Sequence, residues 1–225
     1  MWRRLFALLF SMASLCVAQE VKPSIEKISD SQYRIGLITF DPKTRELRFP
    51  SEVNMAEGLL EFLIVHQKGK VHESLLKTAA SPLHLQLALT LLRYKPSKEL
   101  RLQPDDTFPA VAEDIKKAAR LGIDLEWNDD GKLRRVPANE WIQHTSKASA
   151  MPATHWVFAE ADAAEGNFTP ETTGDLAAIY LTNSALIAFP GADNRDDTVW
   201  TPFPKRVPPV GTPVTVIIYP DPASL

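Results

Sequence analysis

The side chains best suited to chemistry are concentrated in one stretch of this sequence, residues 58–92. His66, His72, Glu73 and His84 lie there among mostly apolar residues. Imidazole and carboxylate groups bind metal ions and exchange protons. If His66 and His72 face the same side, they can ligate a metal, with His84 or a carboxylate completing the set. The sequence thus predicts a candidate metal site at His66, His72 and His84.

Two other roles fit the same stretch. A Ser74–histidine–acid hydrolase has the right residue types, but Ser74 lacks the Gly-x-Ser-x-Gly turn of many such enzymes. Alternatively, His72 and Glu73 hydrogen-bond the backbone of the loop that follows, because buried polar groups need partners. His72, Glu73, Ser74 and His84 are therefore predicted to form a binding site or a structural clamp. We favour the clamp, in which Glu73→Ala costs about 1–3 kcal/mol.

A strand–turn–strand unit is needed to position these side chains. Leu59–Val65 is almost wholly apolar and predicts a strand that is covered on both faces. Gly69 predicts a hairpin turn in which it adopts a positive φ. If Gly69 forms a bulge, as we favour, His66 and His72 share one face and Glu73 points to the other. In a tighter two-residue loop, the two histidines lie on opposite faces.

A helix is predicted directly after this unit. Ser81 and Pro82 have the residue types of an N-cap and a first helical position. Apolar residues then recur at helical spacing as far as Leu92, which predicts one broad face packed on the sheet. His84 lies on the first turn, where the helix dipole disfavours a protonated imidazole.

The same stretch resembles a known family. The segments GLLEFLIVHQKGKVHESLL and PLHLQLAL are similar to the core of the YdjY-domain family of exported bacterial proteins. The most specific part is the Gly-Lys-x-His-Glu-Ser core at 69–74, and the likeness continues through 194–200 to 207–216. The resemblance implies an exported domain. It implies no particular reaction, because no activity is settled for the family.

The N-terminus predicts export. Two arginines precede the almost wholly apolar run Leu5–Ala18, which is typical of a cleaved secretory signal peptide at 1–18. The run is too short for a transmembrane helix, which needs about 20 apolar residues. Lipidation at Cys16 is a competing interpretation, which Leu15 disfavours. We therefore expect a periplasmic or secreted mature chain without a transmembrane segment.

Composition narrows the possible functions. Cys16 is the only cysteine, so cleavage after Ala18 leaves a chain that forms no disulfide and no cysteine-ligated iron–sulfur cluster. This departs from the ferredoxin-like label sometimes given to members of the family. The formal net charge is −3 and no basic run is present, so nothing favours nucleic acid or anionic lipid as a partner.

The remaining pattern predicts a single α+β domain at 33–220, between a loose leader at 19–32 and a tail at 221–225. Tight turns predict a mostly antiparallel sheet with two helices. The second helix is predicted at 110–121, ended by Gly122. The predicted hairpins pair 33–40 with 46–53, 123–127 with 133–136, and 176–181 with 185–189.

An acidic loop is a further candidate site. Asp193, Asp196 and Asp197 offer the carboxylate oxygens that calcium prefers. The loop lacks the spacing of an EF-hand, and a solvated turn is the simpler interpretation.

The tryptophans are the last candidate group. Aromatic side chains can form a platform for sugars or peptides, although tryptophans in strands more often pack in the core. The four that fall in or near predicted strands are Trp127, Trp141, Trp156 and Trp200.

These observations together favour an exported cell-envelope binding or interaction module. Its expected partner is a protein, a glycan or a small ligand, and the sequence contains no assembled catalytic signature. The alternative is a metal-binding protein or metal-dependent enzyme centred on His66, His72, Glu73 and His84.

Overall fold

The computed structural model describes residues 24–102, 115–164 and 167–221 of the chain. These ranges contain many short strands and little helix. The strands are β1 (Ile25–Lys27), β2 (Tyr33–Ile35), β3 (Ile38–Asp41), β4 (Glu46–Val53), β5 (Phe62–His66), β6 (Ser74–Thr78), β7 (Arg120–Asp129), β8 (Lys132–Pro137), β9 (Ile142–His144), β10 (Trp156–Phe158), β11 (Ala163–Ala164), β12 (Asn167–Phe168), β13 (Asp175–Ala178), β14 (Ile187–Ala188), β15 (Trp200–Pro202) and β16 (Pro213–Pro220). The α-helices of these ranges are α1 (Pro82–Leu91) and α2 (Thr169–Thr173), and 3-10 turns span Val71–Glu73, Lys117–Ala119, Ala138–Trp141 and Ala192–Arg195.

Strands of the described chain close into an eight-stranded barrel. Around the ring the order is β4, β16, β7, β10, β14, β13, β5 and β6. β6 closes the ring on β4, with Glu52 opposite Lys77 and Val53 opposite Leu76. β3, β2 and β1 extend from β4 as a meander, and β8 pairs with β7. The predicted α+β class is therefore wrong: the fold is mostly β and is dominated by the barrel.

Side chains alternate between the two faces of the longest barrel strands, β4, β16 and β7, and those on the inner face form the core of the barrel. Val216 lies opposite Phe49 on one side and Leu125 on the other, and all three side chains are buried. Burial of one such side chain stabilises the fold by about 1.5–3 kcal/mol. Alternation of this kind defines the faces of a strand, but it does not reveal whether the sheet stays open or closes. For this reason the sequence did not predict a barrel.

One predicted hairpin is confirmed and another is confirmed in part, because its first arm, predicted at 33–40, turns at Gly36 into two strands, β2 and β3. β3 and β4 are antiparallel, with Asp41 opposite Glu46. β7 and β8 are also antiparallel, and their turn places Asp130 at φ 49° and Gly131 at φ 84°. Two consecutive positive φ values are what a type I′ hairpin turn requires.

The other two predicted hairpins are wrong, because the strands pair in parallel. In β5 and β6, Phe62 lies opposite Ser74 and His66 lies opposite Thr78. In β13 and β14, Ala177 lies opposite Ile187. Parallel neighbours usually need a connection of a dozen or more residues, whereas β5 and β6 are joined by residues 67–73 alone. We call residues 67–73 the crossover connection.

A second apolar cluster explains why these connections fold back. Phe62 and Val65 of β5 pack with Ala178 and Ala185 in a cluster separate from the main core, and Val71 of the crossover connection packs against it. Both faces of β5 are therefore covered, as its apolar sequence predicts. The cover comes from the connections themselves rather than from a helix.

The helix at Pro82 is confirmed, and the second predicted helix is not. In α1, Ser81 is the N-cap and its hydroxyl accepts a hydrogen bond from the His84 N–H. Residues 110–114 of the predicted helix 110–121 lie outside the described residues. The rest forms a 3-10 turn and the start of β7, so Gly122 lies within a strand rather than at a helix end.

The N-terminal segment that predicts export lies outside the described residues. This segment, residues 1–23, contains the expected signal peptide and Cys16. Ile25–Lys27 of the expected leader forms β1. None of the helices in the described ranges is long and apolar enough to cross a membrane.

Candidate functional site

The Gly69 turn lies at the end of β5, where the crossover connection begins. The Gly69 N–H donates to the His66 carbonyl at 2.7 Å, and the Val71 N–H donates to the Gly69 carbonyl at 2.9 Å. The predicted positive φ at Gly69 is wrong, since its φ lies outside the left-handed region. The glycine is needed for a different reason. A Cβ at this position would lie 2.8 Å from the Thr173 carbonyl oxygen.

The three candidate metal-binding histidines occupy different parts of the fold. His66 ends β5, whereas His72 precedes β6 and lies near the other end of β5, about 15 Å away by the rise of a strand. His84 lies on α1, where its ring packs against Gly36. Within the described ranges, no three histidine, cysteine, aspartate or glutamate side chains are grouped so that they could hold a metal ion. The parallel pairing of β5 and β6 is what separates His66 from His72.

Glu73 belongs to a small charged group. Its carboxylate lies 3.7 Å from Lys70 Nζ and 3.6 Å from His72 Nε2, and the His72 side chain is 77% exposed. The Glu73 carbonyl accepts the Glu61 N–H at 3.0 Å. Burial, and then the negative charge of Glu73, raise the pKa of the Glu61 carboxyl above its ordinary value.

The crossover connection is clamped by a residue outside the predicted motif. Asn54 Nδ2 donates to the Val71 carbonyl at 2.5 Å and to the Ser74 carbonyl at 2.8 Å. Ser74 is fully buried, and its hydroxyl donates to the Leu76 carbonyl at 2.8 Å. A side chain held in this way cannot reach a substrate. The sequence gives no signal for Asn54 as a clamp, because its partners are backbone carbonyls, which every residue carries.

A cavity of about 570 Å³ lies beside the Gly69 turn. The crossover connection forms one wall of the cavity, and the seam between β4 and β6 forms another. Glu52 and Lys77 form an ion pair at 2.9 Å within this lining. The polar and charged side chains around the cavity are Ser51, Glu52, Gln67, Lys68, Lys77 and Thr78.

The acidic side chains at Asp193 and Asp196 pair with other residues of the protein. Asp193 lies 3.5 Å from Lys147 Nζ and 3.6 Å from His144 Nε2. Asp196 accepts hydrogen bonds from the Thr198 hydroxyl and backbone N–H, and these bonds lower the pKa of its carboxyl. Asp196 therefore stabilises its own loop, Asp193 pairs with His144 of β9 and with Lys147, and Asp197 contributes to the negative charge near Glu61.

The tryptophans belong mostly to the core. Trp141, Trp156 and Trp200 are at most 2% exposed. The Trp200 ring packs edge-on against His144, with centroids 5.1 Å apart. Only the half-buried Trp127, edge-on to Trp141, keeps part of its surface available to a ligand among these four.

A buried polar network on β7 is a second feature that the sequence analysis missed. Asp124 is 9% exposed and accepts hydrogen bonds from the Tyr219 hydroxyl and from Arg135 Nε, both at 2.8 Å. A Cβ on Gly122 would lie 2.4 Å from the Tyr219 ring, so the ring rests directly on that glycine. The sequence signal for this network is the acidic Asp124 between the apolar Ile123 and Leu125, because a buried carboxylate needs hydrogen-bond donors.

The comparisons with known proteins identify the domain. The family model of the YdjY domain matches residues 38–219. No curated protein and no solved structure shows a significant match to the chain. Since the match covers most of the sequence, including the strands from β3 onward, the chain belongs to the YdjY domain family.

Proposed function

We propose that this protein is an exported binding module of the cell envelope, and that a small polar ligand occupies the cavity beside the Gly69 turn. The observation that carries the proposal is the position of the family's core motif. The crossover connection, which contains residues 69–73 of this motif, forms a wall of the cavity of about 570 Å³ through Gln67, Lys68 and Val71. Ligand-binding cavities usually have volumes of about 300–1,000 Å³.

The charges around the cavity support a ligand that carries an anionic group. Lys68 of the Gly69 turn and Lys77 of β6 both line the cavity. Glu52 already neutralises Lys77 in an exposed ion pair at 2.9 Å, and such pairs contribute little stability. A ligand anion can therefore replace Glu52 at a small cost.

The state of Ser74 favours binding over hydrolysis. A nucleophilic serine needs a base within hydrogen-bond distance and an open path to the substrate. Ser74 is fully buried and donates to the Leu76 carbonyl, while His72 lies largely in solvent. Their positions suit a structural role for Ser74 and a surface role for His72.

A ligand screen tests this proposal. The purified protein is screened by thermal shift against envelope glycan fragments, short peptides and small organic anions. We expect hits whose affinity falls in Lys68→Gln but not in Lys98→Gln, an exposed lysine that pairs with Glu160 away from the cavity. Pull-down from envelope extracts tests a protein partner in parallel. Robust turnover of ester, glycoside or phosphate substrates would refute the proposal.

Export is tested separately, at the N-terminus of the protein. After expression in a bacterial host, the periplasmic fraction should contain a chain that begins at Gln19, as mass spectrometry would show. A chain that begins at a lipid-modified Cys16 would instead identify a lipoprotein, and a full-length cytoplasmic chain would contradict export.

A further inference from the structure

The outer face of α1 is apolar, and we propose that a second copy of this chain covers it in an antiparallel contact between the two α1 helices. Leu83, Leu87 and Leu91 follow one another at four-residue intervals on this face, and we call them the α1 ridge. They lie opposite the side of the helix that packs in the core, which consists of Pro82, Leu85, Ala88 and Leu89. The ridge shares no residue with the cavity beside the Gly69 turn, so this proposal is independent of the ligand.

The composition of α1 is that of a helix covered on both sides. It contains no aspartate, glutamate, lysine or arginine. A helix at the surface of a soluble protein normally has a charged outer face, and one that is apolar all round is usually buried. Leu91 is nevertheless 45% exposed. Leu37, 47% exposed, adjoins the same face, because it follows Gly36, against which the His84 ring of α1 packs. Contiguous exposed apolar surface of this kind indicates an interaction site.

The two ends of the ridge carry opposite charges, and this favours a second copy as the occupant. At the N-terminal end, Glu171 accepts hydrogen bonds from the Ser81 hydroxyl and the Leu83 N–H. At the C-terminal end, the exposed Arg93 and Lys95 follow the helix directly. An antiparallel pair places the acid of each copy beside the basic residues of the other, and it opposes the two helix dipoles favourably. The uncharged ridge between these ends adds no repulsion between identical surfaces.

The other charged groups near the ends leave this contrast in place. Arg45 adds a third cation at the C-terminal end, where its Nε donates to the carbonyl of the α1 C-cap at 2.9 Å. Of the acids in the same turn, Glu46 pairs with Arg48 at 2.6 Å, and Asp41 accepts a backbone N–H of its own turn. Lys68, which precedes the Gly69 turn's contact with α2, lines the cavity. The N-terminal end therefore presents its acid through the helix cap, and the C-terminal end stays basic.

The contact is short, so the association should be weak and reversible. The ten residues of α1 span about 15 Å. Small interfaces are typical of transient complexes, and we expect a dissociation constant on the order of 10–100 μM. Sedimentation velocity of the purified protein from about 1 to 500 μM tests this, with the dimer fraction rising across the range.

Charge variants and ridge variants test which surface is responsible. Leu91→Asp should weaken dimerisation by at least about tenfold, and circular dichroism confirms that the variant is folded. Leu133→Asp is the matched control, since Leu133 is 70% exposed but lies on β8. Arg93→Glu should weaken the dimer, and adding Glu171→Lys to it should restore part of the loss, because the swap recreates opposite charges at the two ends.

Cysteine crosslinking tests the antiparallel orientation. Cys16 is the only cysteine of the chain, so single cysteines are introduced in a Cys16→Ser background. Leu87 is the middle residue of the ridge and lies beside the two-fold axis of an antiparallel pair, so Leu87→Cys should form a disulfide-linked dimer. The two copies of Leu83→Cys would be about 12 Å apart along the helices, which is too far for a disulfide.

Three results would overturn the proposal: a monomer at every concentration, a dimer unaffected by Leu91→Asp, or crosslinking of Leu83→Cys as fast as that of Leu87→Cys. Sedimentation with phosphatidylglycerol vesicles is measured in parallel. A monomer that binds these vesicles, and loses the binding in Leu91→Asp but not in Leu133→Asp, would assign the ridge to a membrane surface instead of a second copy.

Discussion

Gly69 and Gly174 lie backbone against backbone, and this contact joins the end of β5 to the start of β13. A Cβ on Gly174 would lie 3.0 Å from the Gly69 Cα, and Gly174 has a φ of 82°. The Gly174 carbonyl accepts the His66 N–H at 2.7 Å on the same side. The contact therefore sets the point at which the chain leaves β5 and returns along the crossover connection.

Gly69→Ala should destabilise the protein by about 1–3 kcal/mol, because the added methyl overlaps the Thr173 carbonyl, which is backbone and cannot move alone. Gly131→Ala measures backbone strain alone, since Gly131 has a φ of 84° and no atom lies within 4 Å of the position of an added Cβ. Gly69 has no positive φ, so a loss in Gly69→Ala reports the close approach. Urea denaturation measures both variants. A stability of Gly69→Ala equal to that of the parent would show that the close approach is not required.

These two glycines also show what the sequence can predict. The Asp130-Gly131 turn is encoded by adjacent residues whose φ preferences select one turn type, so the β7–β8 hairpin was predicted correctly. Gly69 looked equally like a hairpin glycine. Its role depends on Gly174, which is distant in sequence, and no local signal distinguishes a turn glycine from a close-contact glycine. The parallel pairing of β5 with β6 was missed for this reason.

Asn54→Ala should destabilise the protein by about 1–3 kcal/mol, because it leaves the Val71 and Ser74 carbonyls without their side-chain donor. The sequence alone predicts the same cost for Glu73→Ala. Since the Glu73 carboxylate only approaches Lys70 and His72, at 3.7 and 3.6 Å, the structure predicts a change within about 0.5 kcal/mol. Chemical denaturation of both variants decides which residue is the clamp. An equal loss of stability in the two variants would show that Glu73 is also part of the clamp.

The sequence predicts only part of the candidate site, because it shows local signals but not contacts between residues that are distant in sequence. Ser81 and Pro82 mark the start of α1 by local chemistry, and that start was correct. Asn54 acts through carbonyls that become its neighbours only when β6 pairs with β4 and closes the barrel. Asp124 acts through Arg135 across the β7–β8 hairpin and through Tyr219 on β16, which is distant in sequence. A sequence pattern can show that Asp124 interrupts an apolar strand and that Arg135 lies in the other arm of its hairpin, but it cannot supply Tyr219 as a donor.

Glu171 caps α1 from outside that helix, and its loss should be measurable. One of its carboxylate oxygens, Oε2, accepts the Leu83 N–H and the Ser81 hydroxyl, both at 2.8 Å. Negative charge at a helix N-terminus is stabilising, so Glu171→Ala should cost about 1 kcal/mol. The exposed Glu57→Ala serves as the control. Because Ser81 and Glu171 act on the same helix end, the effects of Ser81→Ala and Glu171→Ala should not add. Additive losses, or no loss in Glu171→Ala, would contradict the cap.

The raised pKa of Glu61 makes stability depend on pH in a predictable direction. Burial first, and the charge of Glu73 second, disfavour the ionised carboxylate in the folded protein. From the ordinary glutamate pKa of about 4.3 up to the raised folded value, the unfolded chain loses this proton before the folded one does. The contribution of Glu61 to stability is therefore complete below this window and is lost as pH rises through it.

Glu61→Gln should remove that loss, so its free energy of unfolding should rise relative to the parent as pH increases from 4 to 7. Glu73→Gln should reduce the effect in the parent background, because it removes the neighbouring charge. The exposed Glu57→Gln controls for the general effect of removing one carboxylate. Urea denaturation at several pH values provides the measurement. A difference between Glu61→Gln and the parent that stays constant with pH would show that Glu61 ionises normally in the folded protein.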